Sequence, residues 1–129
     1  MQIKLRTTNF NLTPAIDDYV SKKISHLEKF INPDGTVLSH EILCEVEIGK
    51  TTEHHKSGDI FRAEVNIKCP GMEQIYAVAE ESDLYAAIDI VRDEAEREII
   101  SRKQKRWALL RKGGIRIKEL LKRIKTYRR

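Results

Sequence analysis

Three groups of side chains in this chain carry ionic or reactive chemistry, and their spacing decides what each can do. The first is a run of bases. From Arg102 onward stand 13 lysines and arginines against one acid, Glu119, a local balance of +12. The preceding 101 residues hold 11 bases and 19 acids, so the formal net charge of +4 conceals a polarised chain. A cationic run attached to an acidic body is the electrostatic footprint of a polyanion binder. The candidate contacts are Lys22, Lys23 and Lys29 on one predicted helix and Arg92, Arg97, Arg102, Lys103, Lys105 and Arg106 on another. Such side chains neutralise phosphates, which sets affinity and register but reads little sequence. Structured RNA is a natural partner, because its helices are recognised largely by shape and backbone. Trp107, inside the run, either stacks on a base or folds back onto the core or the tail.

The second group is acidic. Glu41, Glu45 and Glu47 alternate along a predicted strand, which looks like a carboxylate cluster but is also what the solvated face of a one-sided sheet carries. No GxSxG, phosphate-binding loop or dinucleotide fingerprint accompanies them. The chain reads as a non-enzyme with no cofactor and no small-molecule substrate.

The third group comprises imidazoles and thiols. His54 and His55 are adjacent, and His26 and His40 have no Cys or His at ligand spacing, so no metal site is expected. With a hairpin tip near Glu53 to His55, Cys44 falls opposite Glu64 and Cys69 opposite Ser39. That offset is roughly 16 Å along a strand, too far for a disulfide. Both cysteines are therefore read as buried core thiols.

The elements that must position these groups follow from periodicity. Met1 to Thr7 alternates as a strand, with Ile3 and Leu5 on one face. Thr13-Pro14 starts a helix carrying Ile16, Val20, Ile24, Leu27 and Ile31, and Asn32-Pro33-Asp34-Gly35 stops it. Ile42, Cys44, Val46 and Ile48 alternate on a second strand, Gly49 to Gly58 reads as a hairpin loop, and Phe61 to Cys69 returns. Pro70-Gly71 turns into a short strand around Ile75 to Ala79. Ser82 or Asp83 then caps a helix reaching Lys112, with Leu84, Ala87, Ile88, Val91, Ala95 and Ile99 as its apolar stripe. Its acids crowd the first part and its bases the second, the order that suits a helix dipole.

The predicted fold is an α+β sandwich in the order β-α-β-β-β-α, with an antiparallel-dominated four-stranded sheet and two helices on one face. Residues 1–112 form the domain. Gly113-Gly114 is a hinge, and residues 113–129 form a basic amphipathic extension carrying Ile117, Leu120, Leu121 and Ile124. At 129 residues, 40% hydrophobic and 34% charged, the chain suits one ordered domain plus that extension. No apolar run approaches the ~20 residues of a membrane span, and Met1 leads straight into a strand pattern, so a cytoplasmic location is expected.

The stretch MQIKLRTTNFNLTPAIDDYVSKKISHLEKF, the strands after it and the motif Asp83-Leu84-Tyr85-Ala86-Ala87-Ile88-Asp89 resemble the bacterial ribosome hibernation-promoting factors, also called ribosome-associated inhibitors. The resemblance spans roughly Met1 to Lys105. It implies a fold related to double-stranded-RNA-binding domains. It also implies binding to the small ribosomal subunit and its rRNA near the decoding region, where the domain blocks tRNA and mRNA and preserves idle ribosomes. Lys23, Arg97 and the bases after Ile100 match positions where the family presents positive charge to RNA. This chain has Glu94 and Glu98 where relatives usually carry Lys and Gln, which shifts the binding surface toward Arg102 and the tail. His26 stands where many relatives have Lys. The second domain of the long family members, which pairs ribosomes, has no counterpart in this sequence. A different reading makes the chain a membrane-surface or protein-interaction module acting through its C-terminal amphipathic segment, with self-association through 113–129.

Overall fold

The computed structural model describes residues 1–51 and 58–112. Strand β1 (Gln2–Thr8) is followed by α1 (Pro14–Ser25), the one-turn α2 (Glu28–Ile31) and a 3-10 turn at Ser39–Glu41. Then come β2 (Leu43–Thr51), β3 (Ile60–Lys68), β4 (Ile75–Glu81) and the long α3 (Leu84–Lys112). The expected hinge at Gly113-Gly114, the amphipathic segment beyond it and the His54-His55 pair lie outside the described residues. The chain divides into two units at the boundary between Ile99 and Ile100, a point within the α3 sequence.

The four strands stand in chain order across one sheet. β3 is antiparallel to both neighbours, but β1 runs parallel to β2. The sheet is therefore mixed: two of its three pairings are antiparallel, and the expectation of an antiparallel-dominated sheet is qualified by the parallel pairing at its first strand. The cause is the connection: β1 reaches β2 through helices, and a crossover of that length returns the chain in the same direction.

Register corrects a second expectation. Cys44 pairs with Ile67, not Glu64. Inward residues fall at even numbers on β2 and odd numbers on β3, so only an odd register sum puts apolar side chains opposite each other. Pairing Cys44 with Glu64 would have set a carboxylate against a buried thiol. Neither cysteine is in a disulfide and both are buried, as expected, and desolvation first, then the Glu45 charge, pushes Cys44 up to about 12.

The core is the set the periodicities predicted. Ile42, Cys44, Val46 and Ile48 from β2 and its approach meet Ala63, Val65 and Ile67 of β3 and Ile75, Ala77 and Ala79 of β4. Against that face lie Ile16, Val20 and Ile24 of α1, Leu27, Ile31 of α2, and Leu84, Ala87, Ile88, Val91, Ala95 and Ile99 of α3. Thr13 caps α1, its Oγ1 accepting from the Ile16 amide at 3.3 Å, with Pro14 in the first turn. Asp83 caps α3 in the same way, its Oδ2 accepting from the Ala86 amide at 3.0 Å.

The first helix is not continuous. It breaks at His26 and Leu27, where the Leu27 amide donates to the Ile24 carbonyl, a tightened i→i−3 bond, before α2 restarts. Leu27 remains fully buried through the break, which is why the apolar spacing alone does not reveal it. Glu28 opens α2, and its carboxylate accepts from Ser39 Oγ and, at 3.0 Å, from the Met1 amine. Those two bonds, Ser39 first, hold Glu28 below the ordinary carboxylate range.

Candidate nucleic-acid interface

The candidate cations fall into two sets according to what they touch. Within Met1–Ile99, most are already engaged. Lys23 Nζ lies 3.7 Å from Asp89 Oδ1 and 5.5 Å from the centre of the Tyr19 ring. Arg92 is largely covered and pairs with Asp93 at 3.0 Å and Glu96 at 3.4 Å on its own helix. Arg97 pairs with Glu94 at 2.8 Å, although it is 74% exposed. Lys29 sits over the Phe30 ring at 5.1 Å, and Lys22 is exposed and in no ion pair among the described residues. The outer faces of α1 and of α3 up to Ile99 therefore alternate acid and base. Asp89, Asp93, Glu94 and Glu96 stand among the candidate cations on these faces, so the bases form no unbroken strip there.

The second set lies in the later part of α3. Positions that would continue the buried stripe beyond Ile99 are Arg102, Arg106 and Leu109, at the three- and four-residue spacing of one helix face. Charged guanidinium groups cannot extend an apolar core without severe desolvation, so the buried stripe ends at Ile99. Arg102 and Lys103 are partly covered; Lys105, Arg106 and Arg111 are exposed. Trp107 is 62% exposed and Leu109 72%, so among the described residues the tryptophan does not fold back onto a core. No Asp or Glu occurs between Ile100 and Lys112. This stretch therefore carries a net positive charge, whereas residues 1–101 carry more acids than bases.

A model of the Sigma 54 modulation protein / S30EA ribosomal protein family matches residues 3–107. The chain belongs to that family. It is 31% identical over 105 residues to the ribosome hibernation promoting factor of Azotobacter vinelandii, covering 81% of this chain and 85% of that protein. The factor of the same name from Pseudomonas putida is 27% identical over 116 residues, 90% of this chain and 100% of the relative. A Lactococcus lactis ribosome hibernation promotion factor is 33% identical over 100 residues, which make up 48% of its length. Among solved structures, the N-terminal domain of Thermus thermophilus Protein Y superposes with a TM-score of 0.60 at 29% identity, over 77% of this chain and 96% of that domain. A ribosomal subunit interface protein of Coxiella burnetii, at 20% identity, shares the fold with a TM-score of 0.61 over 81% of this chain and 99% of its own.

Within this S30EA chain, the structure shows what the motif Asp83 to Asp89 does. Asp83 caps the helix, Leu84, Ala87 and Ile88 pack in the core, and Tyr85 and Asp89 reach across to α1. Tyr19 Oη donates to Asp89 Oδ1 at 2.6 Å, and the Tyr19 and Tyr85 rings meet edge to face, 4.8 Å between centres. The bond to Asp89, reinforced by burial and the carboxylate's charge, pushes the Tyr19 hydroxyl up to about 12. Sequence reasoning missed this cluster, because no local pattern links residues 70 positions apart.

It also passed over the bases on the outer face of the sheet. Lys4 and Arg6 of β1 border a shallow open groove of about 260 Å³ with Glu45, Glu47, Glu64, Asn66 and Tyr76. The alternation of Gln2, Lys4 and Arg6 was the available signal. The acids there have structural partners: Glu45 takes an ion pair from Lys68 at 3.2 Å and Glu47 a hydrogen bond from Thr8 at 3.3 Å. Arg62 spans Glu64 at 2.8 Å and Glu80 at 3.4 Å, its hydrogen bond to Glu64 raising its pKa further. Glu41 is not on the strand; it closes the 3-10 turn before β2. The arrangement is an ion-pair lattice on a solvated face. Among the described residues, no group of three or more His, Cys, Asp and Glu side chains is placed to hold a metal ion.

Proposed function

We propose that this protein is a ribosome-associated hibernation factor that inhibits translation by occlusion. It binds small-subunit rRNA near the decoding region, occupies space that tRNA and mRNA require, and keeps idle ribosomes intact. Such a protein works in the cytoplasm. The observation that carries this reading is the change of character at Ile99, where a packed, net-acidic helix becomes an acid-free cationic one. Phosphate recognition needs a local excess of cations over carboxylates, and a stretch with no acid between Ile100 and Lys112 supplies it. Membership in a family whose relatives are named for ribosome hibernation supports the same reading.

The contacts assigned to RNA are Arg102, Lys103, Lys105 and Arg106, with Lys22 and Lys29 as further contacts from the body. Lys23, Arg92 and Arg97 lend less, since each must leave a carboxylate before meeting a phosphate. No catalytic step is required: the effect is steric and electrostatic.

Co-sedimentation with purified small subunits tests this. With 6–10 phosphates neutralised, affinity drops by about 10³ to 10⁵ between 50 and 200 mM salt. Absence of the protein from the subunit pellet at low salt overturns the assignment.

A further inference from the structure

The feature that general phosphate binding leaves unexplained is Trp107. A tryptophan is a large apolar side chain that dominates cores and interfaces when covered, yet here 62% of it faces solvent. Its neighbours one helical turn away on the same face are Lys103 and Arg111, both cationic, and Arg106 precedes it. We infer that Trp107 is a stacking platform for an unpaired RNA base, with Lys103, Arg106 and Arg111 holding the phosphates on either side. The inference rests on the RNA-binding reading above and adds to it the form of RNA recognised at this point.

Two observations select unpaired RNA over other occupants. The first is charge: Lys103, Arg106 and Arg111 lie within one helical turn of Trp107, and no acid occurs between Ile100 and Lys112. A polyanion complements that charge, and an apolar surface does not. The second is the arrangement of apolar groups. At 3.6 residues per turn, Trp107 and the exposed Leu109 point about 160° apart, so they do not form the broad apolar stripe with which a helix lies in a lipid interface. A single ring between cations instead matches how proteins hold single strands, where each base offers a π-face and duplexed bases do not.

Trp107 is the single tryptophan of the chain, so its fluorescence reports on this site alone. The full-length protein is titrated with a 12-nucleotide oligouridylate, a 12-base-pair RNA duplex, inorganic polyphosphate and phosphatidylglycerol vesicles. The inference expects strong quenching by the oligouridylate and little change with duplex or polyphosphate at matched phosphate. Trp107→Leu weakens binding of dye-labelled oligouridylate by about tenfold, while Trp107→Phe, which keeps a ring, recovers most of the loss. Equal quenching by duplex or polyphosphate overturns the inference, as does unchanged oligouridylate affinity in Trp107→Leu. A blue-shifted, enhanced emission with vesicles and no response to RNA overturns it in favour of a membrane surface. Small-subunit co-sedimentation of the same variants separates the two claims. If Trp107→Leu still pellets with subunits and oligouridylate does not quench the wild type, stacking is wrong and the ribosomal reading stands. If oligouridylate quenches but no variant, wild type included, pellets with subunits, the ribosomal reading falls and the base-stacking site remains.

Discussion

Between Met1 and Ile99, cations are used against anions; from Ile100 to Lys112 they have no acid of their own stretch to meet. In the body, Lys23, Lys50, Arg62, Lys68, Arg92 and Arg97 each lie within ion-pair distance of a carboxylate. Such exposed pairs contribute little to stability, about 0–1 kcal/mol each, but they keep the local field near neutral. Beyond Ile99 the same residue types accumulate along one helix and their fields add. A lysine or arginine is thus not a phosphate contact by identity. Under the proposed function it becomes one where the surrounding sequence withholds acids, and the two parts of α3 differ in that respect.

The contrast in packing should give the largest effect. Ile88→Ala removes a fully buried side chain and is expected to cost about 2–5 kcal/mol in urea unfolding. Leu109→Ala, at an exposed position, should stay within about 0.5 kcal/mol. Equal losses would erase the distinction between a packed and an unpacked part of α3.

The contrast in charge comes next. Replacing Lys105 and Arg106 together by Ala is expected to weaken small-subunit binding by about tenfold and to lower the salt slope by roughly 1.5, two phosphate contacts' worth. Arg92→Ala, removing a cation already held by Asp93 and Glu96, should change affinity by less than about twofold. A reversal of that ranking would return the interface to the body.

Two smaller effects probe the pairing within the body. Asp89→Ala takes away the acceptor of the Tyr19 hydroxyl, so the Tyr19 pKa should fall from about 12 toward 10.0, read by ultraviolet titration. The sign follows from the folded value lying above the unfolded one. The bond's stabilisation is complete below pH 10.0 and is lost as pH rises through about 12, so Asp89→Ala should flatten the alkaline limb of the stability profile. Ser39→Ala removes the leading cause of the lowered Glu28 pKa. Glu28 stabilises the fold above its ordinary value of 4.5 and that contribution is lost as pH falls through its lowered folded value. The variant should therefore lose part of this stabilisation at neutral pH and show a weaker acid dependence in unfolding experiments.

Much of this was legible in the order of residues. Thr13 and Asp83 announce helix starts because an N-cap needs only a side-chain oxygen next to its own helix. The core positions on β2, β3 and α3 follow from periods of two and three-to-four, and the break in charge after Ile99 is a property of composition. The odd register sum that places Cys44 opposite Ile67 was also available, since burial parity on the two strands excludes the even one. Reading the hairpin tip from its polar residues alone missed it.

What only the tertiary structure decided is what meets what. The parallel placement of β1, the break at His26 and Leu27, the Tyr19–Asp89–Lys23 cluster and the neutralisation of Arg92 all depend on partners brought together by packing or on a choice among several nearby acids. A local pattern is set by neighbours a few residues away, and covalent geometry conveys it directly. A contact across 70 residues is set by how the whole core closes, and no window of sequence contains it.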